Sequence, residues 1–286
     1  MTRIVYLNGE YVPEQDARVS IFDRGFLFSD AVYEVTAVLN GKLLENDGHI
    51  GRLVRSCREL QLTLPVTPGE LEAIQRELIA RNQLREGAVY LQLSRGSTGD
   101  REFDFPPAGT APTLTLFTQA RPVIDNARAI KGIRVITLED IRWRRRDIKT
   151  VGLLAPCLAK EYAHARGADD AFLVEDGMVT EGSACNAWIV TESGTLVTRP
   201  LSNDILHGIT RRSLLELAKT HNIPFEERAF SVEEAYNARE AFISSATTFI
   251  WPVVNIDGRA VGDGEPGPVT RALRAIYVEM ALRATA

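Results

Sequence analysis

Lys149 is the side chain with the clearest chemical promise in this sequence. It stands in LEDIRWRRRDIKTVGLL (residues 138–154), after an alternating apolar run at 133–136 and before helical spacing over 151–165, which places it near a strand-to-helix junction. Its neighbours Ile148 and Val151 are apolar, and three arginines (Arg144, Arg145, Arg146) lie just upstream. A lysine beside concentrated positive charge in an apolar setting loses some preference for its protonated form, and a neutral amine is what a Schiff-base nucleophile needs. Most lysines are solvated surface charges, and an arginine triplet is usually a wet face or a set of ion-pair partners. The local spacing leaves both readings open. With 33 lysines and arginines in all and only five lysines among them, the alternatives to Lys149 are Lys42, Lys131, Lys160 and Lys219.

Four further groups suit the same chemistry. Glu181 lies in Thr180-Glu181-Gly182-Ser183 between two β-type runs, where Gly182 suggests close backbone approach. A buried carboxylate held against a ring nitrogen keeps that nitrogen protonated and makes the ring an electron sink; a glutamate beside glycine is more commonly a solvated turn residue. Gly208-Ile209-Thr210 opens a helix, and N–H groups there with the threonine hydroxyl form either a phosphate cradle or a simple cap. The run SSATT (244–248) ends a strand with small hydroxyl side chains and can close such a cradle, while Arg52 can supply positive charge.

The elements that must hold these residues follow from turn and periodicity signals. Asn8-Gly9 and Asn40-Gly41 each separate apolar runs and predict tight hairpins. Helices are expected over 49–60, over 68–82 with Thr67 as N-cap and Pro68 at the first helical position, over 209–219, over 232–236 and over 268–282. Strands are expected at 88–94, 113–117, 171–174, 186–190, 225–230, 241–245 and 250–256. Residues 118–130, TQARPVIDNARAI, have the proline and polar content of an interdomain linker, set here at 120–130.

Composition narrows the function classes. A 45% hydrophobic and 25% charged chain of 286 residues is that of a soluble globular protein with ample core. A net charge of −5 argues against a dedicated nucleic-acid binder, although the arginines at 142–146 offer a basic run. Neither the three cysteines nor the four histidines show metal-ligand spacing, so no metal is expected. The N-terminal MTRIVYLNGEYV enters a strand-turn-strand pattern without an apolar signal core, and no stretch approaches the roughly 20 apolar residues of a membrane span. A cytoplasmic protein without membrane partners is expected.

Taken in order, DRGFLFSDAVYEV (23–35), HIGRL (49–53), DIRWRRRDIKT (140–150), TEGSACN (180–186) and HGITR (207–211) resemble the fold-type IV pyridoxal-phosphate enzymes. That group includes branched-chain and D-amino acid aminotransferases, aminodeoxychorismate lyase and R-selective amine transaminases. The resemblance runs over residues 6–254 and is strongest to the D-amino acid aminotransferases. It implies an α+β, two-domain fold: a small N-terminal α/β domain (1–119), the linker, and a larger pseudobarrel-like C-terminal domain (131–286), with cofactor between them. It also implies a homodimer whose active site is completed across the interface.

By the same resemblance the cofactor is pyridoxal 5'-phosphate, with Lys149 as the catalytic Schiff-base lysine and Glu181 as partner of the pyridine nitrogen. Tyr33 would hydrogen-bond the ring oxygen and border the substrate. Arg52, Ile209 and Thr210 would hold the phosphate, and Leu206 would pack on the ring. The family usually closes the phosphate site with a threonine where this chain has Ala246, so the Ala246 backbone or Thr247 would serve. The D-amino acid enzymes trap the substrate carboxylate with an Arg-X-His pair. Here RGSTGDREFDFP (95–106) is one residue longer, with Arg101 at the trap position and Phe103 in place of histidine. The implied reaction exchanges an amino group between a D-amino acid, such as D-alanine or D-glutamate, and a 2-oxo acid by a ping-pong mechanism. Activity as an R-selective amine transaminase, an aminodeoxychorismate lyase or a branched-chain L-amino acid aminotransferase stays open.

Overall fold

The computed structural model describes residues 2–286, which divide into two compact units. The first holds the chain up to Pro122 together with Ile148–Gly152 and Ala284–Ala286. Strands β1 (Ile4–Leu7) and β2 (Glu10–Pro13) form the first hairpin, with Asn8 at φ 48° and Gly9 at φ 106°, the positive angles that an Asn-Gly turn tolerates. Helix α1 (Arg24–Phe28) is capped by Asp23, which accepts the Gly25 N–H at 2.8 Å. Strand β3 (Ala31–Leu39) turns through Asn40-Gly41 into β4 (Lys42–Leu43).

Helix α2 (Asn46–Glu59) follows, then α3 (Pro68–Arg81), which starts at a reciprocal capping box between Thr67 and Glu70. Such a box contributes about 1 kcal/mol to helix stability. Strands β5 (Gly87–Ser94) and β6 (Thr113–Ala120) complete a six-stranded antiparallel sheet in the order β2-β1-β6-β5-β3-β4. The alternate residues Val89, Leu91 and Leu93 of β5 join Leu53 and Cys57 of α2 and Leu71 and Leu78 of α3 in one core, as period-2 and period-3.6 patterns require.

The second unit holds residues 123–147 and 153–283. It begins with α4 (Ala127–Lys131), β7 (Ile133–Glu139), α5 (Leu154–Ala165), β8 (Asp170–Glu175), β9 (Met178–Gly182), β10 (Asn186–Val190) and β11 (Leu196–Thr198). It continues with α6 (Ile209–Thr220), β12 (Phe225–Glu227), α7 (Val232–Tyr236), β13 (Glu240–Ser245), β14 (Phe249–Ile256), β15 (Arg259–Ala260) and α8 (Pro268–Ala284). A mixed sheet runs β12-β11-β10-β13-β14-β7-β8-β9, with β15 on β14. Strand β10 is buried on both faces, so it reads as a continuous apolar run rather than an alternating one.

Several boundaries depart from the sequence expectation for identifiable reasons. The segment Ile148–Gly152 groups with the first unit rather than with the C-terminal residues 131–286. Thr150 bridges to Val32, the Tyr33 N–H donates to Lys149 O at 3.0 Å, and the Val151 N–H donates to Ala31 O at 3.2 Å. Because Val151 is spent on β3, the helix expected from 151 starts at Leu154. The expected linker is not structureless, since β6 runs to Ala120 and Asn126 caps α4 from Ala127. The strand expected over 225–230 stops at Glu227, because its partner β11 offers only three residues.

Candidate active site

Two sets of residues form, one in each unit. In the first, β3 carries Tyr33, and the two backbone bonds from β3 to the Lys149 pentapeptide set where that lysine stands. Lys149 Nζ lies 4.2 Å from the centroid of the Tyr33 ring, which stacks on Tyr90 at 5.6 Å. Lys149 is half-buried, not a solvated surface charge.

The next residue of β3, Glu34, points to the opposite face and is buried. It receives Arg52 bidentately, Nε at 2.7 Å and Nη2 at 2.8 Å, and meets His49 Nδ1 at 2.9 Å. Arg52 and His49 share one face of α2 at i and i+3. Burial raises the cost of charge on Glu34, but the Arg52 charge and its hydrogen bonds win and hold the carboxyl well below the usual range. Burial pushes His49 down, against the pull of Glu34.

Both shifts have the same sign for stability. The unfolded chain takes up protons below about pH 6.5 at histidine and below about pH 4.3 at glutamate while the folded chain resists. Stability from this triad is therefore present above those values and is lost as pH falls. Glu34→Gln leaves Arg52 without its buried counter-charge and should cost about 3 kcal/mol, flattening the pH dependence of the thermal midpoint below about pH 4.3, where glutamate titrates in the unfolded chain. A melting curve set that matches the parent at every pH would count against the triad.

The loop carrying Arg101 and Phe103 is organised by an arginine that the sequence did not single out. Arg24 donates to the carbonyls of Glu102 (2.6 Å), Phe103 (3.3 Å) and Asp104 (3.1 Å), while its Nε meets Asp30 at 2.8 Å. Asp30 is shared with Arg95, at 2.7 and 3.0 Å. The Arg101 guanidinium lies 5.0 Å from the Phe28 ring and 4.9 Å from the Phe103 ring, and both loop residues are exposed, Phe103 at 74%.

In the second unit, β9 places Glu181 in a buried polar cluster. The Leu206 N–H donates to its Oε2 at 3.1 Å, Asn186 Nδ2 donates to the same oxygen at 3.1 Å, and Arg142 Nη1 pairs with Oε1. Burial pushes the Glu181 carboxyl up, and Arg142 with the Leu206 N–H pulls against it. Arg142 itself is clamped by both oxygens of Asp140, at 2.9 and 2.7 Å, which Thr180 also bonds at 2.7 Å. The contact expected from Leu206 is to the cofactor ring; its backbone is already committed to Glu181.

The arginine run thus needs a correction. Arg142 pairs with Asp140 and Glu181, Arg145 with Asp147 at 3.0 Å, and Arg146 with Glu175 at 2.7 Å. The charges of Arg142, Arg145 and Arg146 are thus each balanced by a carboxylate. The pairs were hidden because Glu175 and Glu181 lie 29 and 39 residues from their partners. TEGSACN, with both Glu181 and Asn186, was the one signal that pointed there.

Helix α6 begins at Gly208, where a side chain has no room: a Cβ would stand 2.0 Å from Asn186 Oδ1. Asn186 also binds Leu206 O at 3.0 Å, which draws the helix start onto β10. Ile209 and Thr210 occupy the first turn, whose N–H groups have no acceptor within the helix. The Thr210 hydroxyl is buried with no hydrogen-bond partner among the described residues, an arrangement that fits an absent acceptor such as phosphate. Strand β10 pairs with β13 (Asn186 opposite Ser244), and β13 runs into the turn of Ala246 and Thr247. No cluster of three metal-type side chains occurs among the described residues.

Residues 31–256 match the family described as amino-transferase class IV. The chain belongs to that family, and as a class IV aminotransferase it is a pyridoxal-phosphate enzyme. It is 40% identical over 272 residues to the D-alanine aminotransferase of Staphylococcus aureus (strain COL), covering 94% of this chain and 95% of that one. It is 41% identical over 285 residues to the D-alanine aminotransferase of Listeria monocytogenes serotype 1/2a, covering 98% and 96%. Among solved structures, the branched-chain amino acid aminotransferase of Escherichia coli superposes with a TM-score of 0.89 at 25% identity, covering 98% of this chain and 95% of that one. The branched-chain aminotransferase of the archaeon Thermoproteus uzoniensis, solved with norvaline, gives 0.86 at 27% identity, covering 99% and 95%.

Proposed function

We propose that this aminotransferase moves the amino group of a D-amino acid, such as D-alanine or D-glutamate, to a 2-oxo acid by a ping-pong reaction. The chemistry rests on the Lys149 amine held 4.2 Å over the Tyr33 ring by backbone pairing to β3. The D-amino acid rests on the relatives named for D-alanine at 40 and 41% identity.

Bound pyridoxal phosphate supplies an electron-withdrawing ring that spreads the negative charge left at Cα when its proton departs. Lys149 Nζ would hold the cofactor through its aldehyde and would carry the Cα proton. Glu181 would keep a proton on the ring nitrogen, with Arg142, Asn186 and the Leu206 N–H fixing its two oxygens. Tyr33 would donate to the ring oxygen, and Leu206 would pack on the ring. Arg52, the Ile209 and Thr210 N–H groups and the Thr210 hydroxyl would hold the phosphate, with the Ala246 backbone or Thr247 closing it. Arg101 pairs with the substrate carboxylate, and Phe103 presents apolar surface where a histidine donor stands in relatives.

The test is an amino-donor panel with 2-oxoglutarate as acceptor. D-alanine should exceed L-alanine, L-leucine and (R)-1-phenylethylamine in kcat/KM by about a hundredfold or more. Arg101→Ala should raise KM for D-alanine about tenfold while leaving (R)-1-phenylethylamine unchanged, because only a carboxylate can use the guanidinium. A preference for L-leucine would replace the proposal with a branched-chain activity.

We also infer a homodimer that completes the site with residues of both copies. The exposed side chains Ile21, Phe22, Phe26, Phe103 and Phe105, all of the first unit, support an association surface. Sedimentation as a single chain at micromolar concentration would contradict it. No described helix is long and apolar enough to cross a membrane. The three cysteines are free, which supports a reducing cytoplasm; a fractionation finding the protein outside the cytoplasm would overturn that placement.

A further inference from the structure

Between β13 and β14 the chain reverses in three residues, Ala246, Thr247 and Thr248, with Ser245 paired opposite Phe249. The turn ends on Phe249 at φ 56°, the left-handed region where a β-carbon is crowded and glycine is the ordinary occupant. Something outside the hairpin must hold that conformation. Two residues one helical turn apart on α8 do so. The Tyr277 ring stands edge-on to the fully buried Phe249 ring, 4.9 Å between centroids. Arg274 Nη1 donates to the carbonyls on either side of Phe249, Thr248 O at 3.1 Å and Ile250 O at 2.9 Å.

The other arm of the same guanidinium, Nη2, donates to Val123 O at 3.3 Å and Ile124 O at 2.8 Å, tying the turn to the stretch of chain that enters this unit. Helix α8 is in turn seated by Glu240 of β13, whose carboxylate accepts the Val269 N–H at 2.9 Å and the Thr270 N–H at 2.7 Å. One planar fork therefore meets four carbonyls, which neither a lysine nor a glutamine can reproduce.

We propose that Arg274 is a positioning residue for the cofactor phosphate, acting through the backbone of the Ala246–Thr248 turn. The inference rests on the reading of that turn as the closing side of the phosphate site. Ala246 has no side-chain donor, so at that position the turn meets an anion through its N–H groups, and the Thr247 hydroxyl beside them is aimed by the same backbone. Their direction depends on the Phe249 conformation that Arg274 maintains.

The test titrates the full-length chain, stripped of cofactor, with pyridoxal phosphate and with pyridoxal, which lacks the phosphate. The parent protein should bind pyridoxal phosphate more tightly. Arg274→Ala should weaken pyridoxal phosphate about tenfold and leave pyridoxal within about twofold, the loss of one to two hydrogen-bonded contacts at the turn. Arg274→Lys, which keeps the charge and comparable reach but loses the fork, should fall between and carries the test if the alanine variant does not fold. Equal weakening of both ligands, or no change in either, would overturn the role of Arg274. A parent protein that does not distinguish the two ligands would instead overturn the phosphate site on which the inference stands.

Discussion

Lys149→Ala should abolish transamination, lowering kcat by about four orders of magnitude or more, because the nucleophile and the proton carrier are lost together. Borohydride treatment of the parent enzyme with pyridoxal phosphate should fix the cofactor's mass on the peptide containing Lys149, and the variant should carry no such adduct. The fold should survive the change. Ile148 and Val151 keep their packing and backbone pairing, and the side chain removed is half-buried with its amine over an aromatic face. Among the described residues Lys149 is the lysine whose amine lies against the Tyr33 ring, so no neighbour stands ready to substitute. Retained turnover, or an adduct on a different lysine, would remove Lys149 from the chemistry altogether.

The second large effect is expected at Glu181. Glu181→Gln keeps the size and the Asn186 and Leu206 contacts on one oxygen but cannot hold a proton on a ring nitrogen. Turnover with D-alanine should fall about a hundredfold to a thousandfold, the scale for removing one preorganised charge from a buried site. Arg142 has a second carboxylate in Asp140 and so keeps a counter-charge, which limits the loss of stability. Circular dichroism close to the parent together with a large loss in kcat would separate chemistry from folding. A variant with unaltered kcat would show that the buried carboxylate only balances Arg142. The comparison with Arg142→Met is informative: loss of the guanidinium leaves Glu181 buried without its cation, and burial already pushes its carboxyl up.

Much of the architecture was legible in the chain itself. Two Asn-Gly turns and the Thr67-Pro68 helix start depend on φ preferences and on a cap within four residues, so they are local properties. The ordered motifs around Lys149, Glu181 and Gly208 likewise carried the family, since close backbone approaches such as Gly208 against Asn186 leave residue-type signatures. Strands β9 and β11 escaped notice because they are short, although each pairs with the strand just before it.

Sequence alone therefore determined the class IV family, the α+β class and the identity of the amine and carboxylate to examine. Only the tertiary structure decided who stands beside them. It bound Lys149 to β3 of the first unit, paired Arg142 with Glu181 and Arg146 with Glu175, set Glu34 between Arg52 and His49, and brought Arg274 onto the turn at Phe249. The physical reason is range. Turns, caps and periodic faces are settled by neighbours within one helical turn, whereas a buried ion pair is settled by whichever opposite charge the packing delivers, at separations in sequence that no spacing rule records.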